Sequence, residues 1–386
     1  MKIDRKRIVQ LLVILVFAVA FSGLLYWANH DKPGYYRDAD RGTKYETARV
    51  LKIIEDNTVA DETMEGILRG NMTMQVEVLT GPYKGEVATI TNYFSSQYNV
   101  VVSENDKISV RIDSESDDSY DISVYNYSRQ TFIVVMVLLF FFALVLIGGK
   151  RGLMAIAGLV FTFVSIVYIL IPLVLKGFPV LPMTLGIIGI TILLSFWFLG
   201  GIQNKTISAF AGSMAGVCVA ALLAFIAGEI AHITGFQMDD AESLVLIKNE
   251  ANLHIKDLFI SGVLIAAVGA IMDVAMSIAS AVHELQILNP NLDKKTLFRS
   301  GMNVGKDAMG TMTNTLILAF AGTSLNMMIL IYSYGVSFTQ LMNTDFIAIE
   351  VVRAIAGSMG IVFTVPAVAY FSAYILHTGK TTDHKK

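Results

Sequence analysis

The sequence predicts an all-α transmembrane bundle of about eight spans, with a small all-β domain, OB-like or a sandwich, inserted after the first span. Three observations carry that prediction. Only 16% of the residues are charged while 54% are hydrophobic, against roughly 25% charged in soluble domains. Several apolar runs reach the ~20 residues needed to cross a bilayer. One long stretch near the N-terminus alternates polar and apolar residues instead.

The apolar runs cover residues 8–28, 131–149, 153–175, 182–200, 207–231, 258–281, 308–333 and 347–376. Lys2, Arg5, Lys6 and Arg7 precede the first. Its apolar core exceeds that of a signal peptide, and "YWANHDKPG" is a poor cleavage site, so it reads as a retained anchor. Residues 29–128 follow, with 18 Asp and Glu against 10 Lys and Arg. There "ETARVLKII", "TMQVEVLTG", "GEVATITNYF", "DKISVRI" and "YDISVYNYS" alternate as about five strands, with a turn at residues 81–85. "DNTVADETMEG" reads as a loop, and "DSESDD" (113–118) as an exposed turn, because it lacks the Gly and terminal Glu of a Ca²⁺ loop.

The remaining seven runs form the bundle. "GGKRG" (148–152), "NPNLDKKTLFRSGMNVGK" (289–306) and the C-terminal "HTGKTTDHKK" concentrate Lys and Arg at alternate ends of the runs, as cytoplasmic loops do. Both termini are therefore expected in the cytoplasm and residues 29–128 outside it. The expected divisions are 1–28, a cytoplasmic N-terminus with the first anchor; 29–128, the extracytoplasmic β-rich domain; 129–377, the seven-span bundle; and 378–386, a cytoplasmic tail. Gly212 and Gly216 in "GSMAG", and Gly186 and Gly189 in "GIIGI", allow close helix packing. Pro172 and Pro366 should bend or open their helices.

The sixth run carries the main candidate site. At 100° per residue, Gly262, Ala266, Gly269, Ala270, Asp273, Ser277, Ser280 and Glu284 share one side. That stripe is expected to face protein or water, with lipid on the opposite side. An Asp within a span costs about 2.5–3.5 kcal/mol on insertion scales, and intramembrane carboxylates default to functional sites. Asp273 lies about eight residues from the inner boundary and Asn314 about six, so Thr311, Asn314 and Thr315 of the next run stand at a similar depth. The group Asp273, Ser277, Ser280, Thr311, Asn314 and Thr315 reads as a proton or ion relay, or as hydrogen-bonded glue between two helices. Glu350 and Arg353, spaced i,i+3, form an interface ion pair or a gate, with Glu284 a further candidate.

Other chemistries find little purchase. The lone cysteine, Cys218, lies in an apolar run and reads as a packing thiol. Asp239, Asp240, Glu242 and His254 near the fifth and sixth runs read as a solvated loop, and no metal site is expected. No G-x-x-x-x-G-K-[ST] loop occurs. No nucleophile–base grouping assembles, so the chain is expected to be no enzyme and to hold no cofactor. No basic patch with interleaved aromatics suggests nucleic acid.

"GAIMDVAMSIASAVHEL", "GKDAMGTMTNTLILAFAGTSL", "IAIEVVRAIAGSMGIVFTVP" and "GGKRGL" together closely resemble the YibE/F family of bacterial multi-pass membrane proteins, found widely in Firmicutes. That resemblance implies a bacterial plasma membrane and a topology. A looser, fold-level likeness links the layout to one half of SecD/SecF and the resistance-nodulation-division transporters. Carried over by position, it makes Asp273 a proton-linked acid beside Thr311, Asn314 and Thr315. Eight spans replace the six of one such half, and Glu284 with Arg299 match its cytoplasmic segment only roughly. The expected function is a gradient-coupled (proton or cation) transporter or translocation aid. The alternative is a scaffold or receptor whose outer domain binds a partner and whose stripe only packs helices. Expected partners are the lipid bilayer, protons or cations, and a membrane-protein partner or homologous subunit.

Overall fold

A computed structural model describes residues 19–30, 43–116, 119–201, 203–236, 244 and 253–378. Most of the first expected span, the tail 379–386, Asp117 and Asp118 of the acidic turn, and Asp239, Asp240 and Glu242 lie outside them. The chain divides into two compact units, Tyr36–Ala143 and the remainder.

The smaller unit is one curled antiparallel sheet. It contains β1 (Thr43–Asp56), β2 (Val59–Ala60), β3 (Leu68–Val78), β4 (Val87–Phe94), β5 (Lys107–Ser116) and β6 (Ser119–Tyr127). The path runs β2-β3-β1-β5-β6, with β4 on β3. Alternation buries Ala48, Val50, Met74, Val76, Ile108, Val110 and Ile112 on its inner side. The Tyr120 hydroxyl at the start of β6 donates to Glu86 beside β4, and its ring lies 4.8 Å from that of Tyr83. The outermost strands thus curl toward each other, which fits an open OB-like barrel and not a two-sheet sandwich. Gly81 sits at φ 75° where a Cβ would collide with the Glu46 carboxylate, so the β3–β4 turn requires glycine.

The loop expected at "DNTVADETMEG" is organised by two aspartates and contains β2. Asp56 Oδ1 accepts from Thr58 N and Oγ1. Asp61 Oδ1 accepts from Thr63 N and Oγ1 and from Met64 N, while Arg69 Nε donates to Asp61 Oδ2 at 2.6 Å.

The larger unit is helical. Residues 19–29 form α1. Next come α2 (Gln130–Ser165), whose first residues belong to the smaller unit, a π-helical turn (Ile166–Leu170), α3 (Ile171–Leu175), α4 (Val180–Gly200), α5 (Asn204–Ile230) and α6 (Ile255–Leu288). The chain closes with α7 (Lys294–Thr323), α8 (Leu325–Ser333), α9 (Phe338–Met342) and α10 (Asp345–Thr378). Among the described residues, five helical runs are long and apolar enough to cross a membrane, or six if α7 and α8, bent by 63° at Ser324, count as one. Eight were expected, and three segments account for the difference. The first run is largely outside the described residues. The second and third fall in one 46-residue run broken at Gly149, where φ is 53° and ψ −128°. The seventh is the bent pair.

The stretch 289–306 is not the loop its charge suggested. Asp293 caps α7 by accepting from Thr296 N, so helix begins at Lys294. Gly301 and Gly305 then let α7 press on α10: a Cβ at Gly301 would meet Ala369 at 3.1 Å, and one at Gly305 would meet Val365 at 2.3 Å.

Glycine contacts set the register of the core. Added Cβ atoms at Gly212 and Gly216 of α5 would overlap Val368 and Thr364 of α10, and one at Gly360 would meet Ala220 at 2.8 Å. The close approach expected of "GSMAG" is therefore real, and α5 runs antiparallel to α10. Gly186 has open space before it, and Gly189 meets only Met214 at 3.7 Å. Gly301 opposite Val282 and Gly305 opposite Ile278 make α7 antiparallel to α6. Cys218 is exposed and so packs no core of this chain.

Pro172 opens its helix as expected. The π-helical turn precedes it, and the Tyr168 carbonyl four residues back loses its usual donor. Asn29 Nδ2 supplies a replacement at 2.8 Å while also holding Leu25 O. Lys176 Nζ caps the end of α1 by donating to Trp27 O at 2.7 Å and His30 O at 2.5 Å. Helix α10, by contrast, stays helical through Pro366.

Candidate functional site

Helix α6 turns its apolar side inward. Val263, Ile271, Val274 and Ile278 are buried, with Ala267, Ala275 and Val282, among α5, α7 and α10. The small and polar stripe is the opposite side: Gly262, Ala266, Gly269, Asp273, Ser277 and Glu284 are exposed, and Ser280 is half-buried. Expected to face protein or water with lipid behind it, the stripe faces away from this chain's own bundle. The physical reason is packing. Branched side chains interlock and fill the core, whereas Gly262 and Gly269 have no atom within 4 Å of where a Cβ would stand.

Asp273 sits mid-stripe. No hydrogen bond or ion pair joins it to a described residue. The cluster expected with Thr311, Asn314 and Thr315 is not assembled. Thr311 Oγ1 donates to the Asp307 carbonyl at 3.4 Å, and Thr315 Oγ1 to the Thr311 carbonyl at 2.9 Å. Register explains this in part. Extending the Val282–Gly301 and Ile278–Gly305 contacts puts Gly310 level with Asp273 and Asn314 about one turn beyond. Direction explains the rest. Asp273 lies roughly 140–180° around α6 from Ile278 and Val282, the residues that meet α7. On α7, Asn303, Asp307, Gly310, Thr311, Asn314 and Thr315 are likewise exposed. The two helices thus carry separate polar stripes, both turned outward.

Glu350 and Arg353 do pair, with Arg353 Nη1 2.6 Å from Glu350 Oε1. The Arg353 guanidinium also stands 5.9 Å from the Phe320 ring centroid on α7. At the end of α5, Glu229 pairs with Lys256 at the start of α6. No group of three or more metal-ligating side chains occurs among the described residues.

Sequence reasoning passed over several polar groups inside the bundle. Thr313 Oγ1, Ser358 Oγ, Ser213 Oγ, Ser372 Oγ and His283 Nδ1 are buried without a hydrogen bond among the described residues, and so is Oε2 of Glu350, a residue the sequence did single out. One interior hydroxyl pair is satisfied: Thr184 Oγ1 donates to Ser261 Oγ at 3.0 Å, tying α4 to α6. The missed residues carried a weak signal, the recurrence of hydroxyls inside spans where an unbonded polar group is costly.

The family model described as YibE/F-like protein matches residues 136–378, more than half of the chain. No curated protein and no solved structure matches, so the looser likeness to SecD/SecF is not carried forward.

Proposed function

The chain belongs to the YibE/F-like family, and from that premise we propose that it is a gradient-coupled transporter or translocation aid in which Asp273 is the titrating group. It works in a bacterial plasma membrane, with both termini in the cytoplasm and residues 29–128 outside. One observation carries the assignment: Asp273 has no hydrogen-bond or ion-pair partner among the described residues. Interhelical glue calls for a bond from a Thr or Asn, and Thr311 and Thr315 give theirs to backbone carbonyls instead. A carboxylate in an apolar helix with nothing to offset its charge is suited to bind and release a proton or cation. Ser277 and Ser280 lie along the same stripe and supply hydroxyls beside it. The reading assigns transport and no catalysed reaction.

The outward turn of the stripe favours a second reading, in which this side of α6 meets another membrane protein. Stripes of small residues let helix backbones approach, and no described residue covers this one.

Proteoliposomes with a pH-sensitive dye inside and an imposed K⁺ diffusion potential separate the two. The proposal expects proton entry that Asp273→Asn abolishes and Asp273→Glu retains in part, with thermal stability unchanged in both. Proton entry equal in wild type and Asp273→Asn would falsify it. A stability loss in Asp273→Asn with no flux in any variant supports the packing role.

A further inference from the structure

A shallow groove of about 480 Å³ lies at the foot of the β-unit, where β6 passes into α2. Thr47, Ser109, Tyr125 and Asn126 line one part, Ser128, Arg129 and Gln130 another, and Ile133 and Val134 the helix side. We propose that this groove binds the phosphate of an anionic phospholipid, with the acyl chains lying along the first turns of α2.

The chemistry of the lining favours an anion. The Arg129 guanidinium is exposed, stacks 5.2 Å from the Tyr127 ring, and has no carboxylate partner among the described residues. Thr47 on β1 is the register partner of Ser109 on β5, and Arg49 that of Lys107. Positions two apart on a strand share a face, so Arg49 and Lys107 extend the groove as a cationic rim. Neither forms an ion pair within the described residues; Glu77 stands across from Arg49 on β3 without bonding it. The Ser128 N–H donates to the Lys107 carbonyl, which fixes the rim against the start of α2. Hydroxyls of Thr47, Ser109 and Ser128 and the Asn126 amide provide neutral donors for phosphate oxygens.

The position selects a lipid over a soluble phosphate. Gln130 opens the most apolar of the candidate spans among the described residues, with mean hydropathy 3.1, and Ile133, Val134 and Val137 are exposed on its first turns. Arg and Tyr beside such a start lie at headgroup depth. The groove therefore spans the boundary, with donors on the side of the sheet and hydrocarbon contacts on the side of the helix. This rests on α2 entering a membrane and is independent of any role for Asp273.

Native mass spectrometry of the full chain in mild detergent, with phosphatidylglycerol or phosphatidylcholine added, tests it. Phosphatidylglycerol should be retained in preference. Arg129→Gln should weaken retention about tenfold, as loss of a charge-assisted bond does. Arg49→Gln combined with Lys107→Gln, both on the sheet surface, should weaken it in part and serves as the deciding variant should Arg129→Gln fold poorly. Lys295→Gln in the helical unit should change nothing. Equal retention of both lipids, full retention in the groove variants, or equal loss in Lys295→Gln overturns the site. Displacement of phosphatidylglycerol by millimolar inorganic phosphate overturns the lipid and leaves a free-anion site.

Discussion

Asp273 and Asp61 show two opposite treatments of a carboxylate. Asp61 is saturated: Arg69, then Thr63 and Met64, donate to it and hold its pKa well below the usual carboxylate range. Asp113 is lowered in the same way, chiefly by the Thr43 hydroxyl, and Tyr120 is raised by its bond to Glu86. The signs follow by linkage. A lowered carboxylate contributes stability that is present above its unfolded value, about pH 4, and is lost as pH falls below it. A raised phenol contributes stability that is present below about pH 10 and is lost at higher pH. Protection of residues 56–69 against hydrogen exchange, taken relative to the intrinsic rate at each pH, should therefore fall below about pH 4 in the full chain, and Asp61→Asn should remove most of that acid dependence. Asp273 has no such set of donors among the described residues. At this scale the sequence grouped Asp273 with Gly262, Gly269 and Ser277 on one side of α6, because 100° periodicity is local. It missed that Thr311, Asn314 and Thr315 do not meet Asp273, because register across two helices depends on Gly301 and Gly305, which lay in a stretch read as loop.

Among the elements, α5, α10 and α1 carry the clearest consequences. Gly216 faces Thr364 Oγ1, which a Cβ would approach to 1.8 Å. Gly216→Val should separate α5 from α10 and destabilise the bundle by about 1–3 kcal/mol or more, read as an earlier melting transition in detergent. Asn29 has a different task. Pro172 leaves the Tyr168 carbonyl in need of a donor, and Asn29 supplies it from a position 139 residues away in sequence. Asn29→Ala removes that donor, and a backbone carbonyl left short of a donor costs about 1–3 kcal/mol when buried and less at an exposed site such as this. Faster hydrogen exchange over residues 166–172 is the expected result, with Asn29→Gln restoring it only in part because the longer arm displaces the amide. Pro172 as a bend was legible from the sequence; the π-helical turn and its remote donor were not. The helical start of 294–306 was legible in principle, since Asp293 with Thr296 is a cap and Gly301 with Gly305 repeats at packing distance. The basic residues Lys294, Lys295 and Arg299 hid it by suggesting a solvated loop.

For the whole molecule, the division into a β-unit and a helical unit followed from a change in period. Alternation in residues 43–127 and long apolar runs elsewhere are strong signals, and both units took the predicted class. The inward side of α6 was harder to read. In a bilayer both lipid and core accept apolar residues, so hydropathy does not tell them apart; fit does, and Ile271, Val274 and Ile278 fit against α5, α7 and α10. The β-unit has its own core around Val50, Met74 and Val110, so residues 43–128 expressed alone should give a soluble β-type circular dichroism spectrum and a cooperative melt. The central claim, that Asp273 titrates within the membrane, is open to one direct measurement. In proteoliposomes containing the full chain, infrared difference spectra between two buffer pH values should show a carboxyl band that is absent in Asp273→Asn. A spectrum identical in wild type and Asp273→Asn at every pH would contradict the account and leave the stripe as a packing surface.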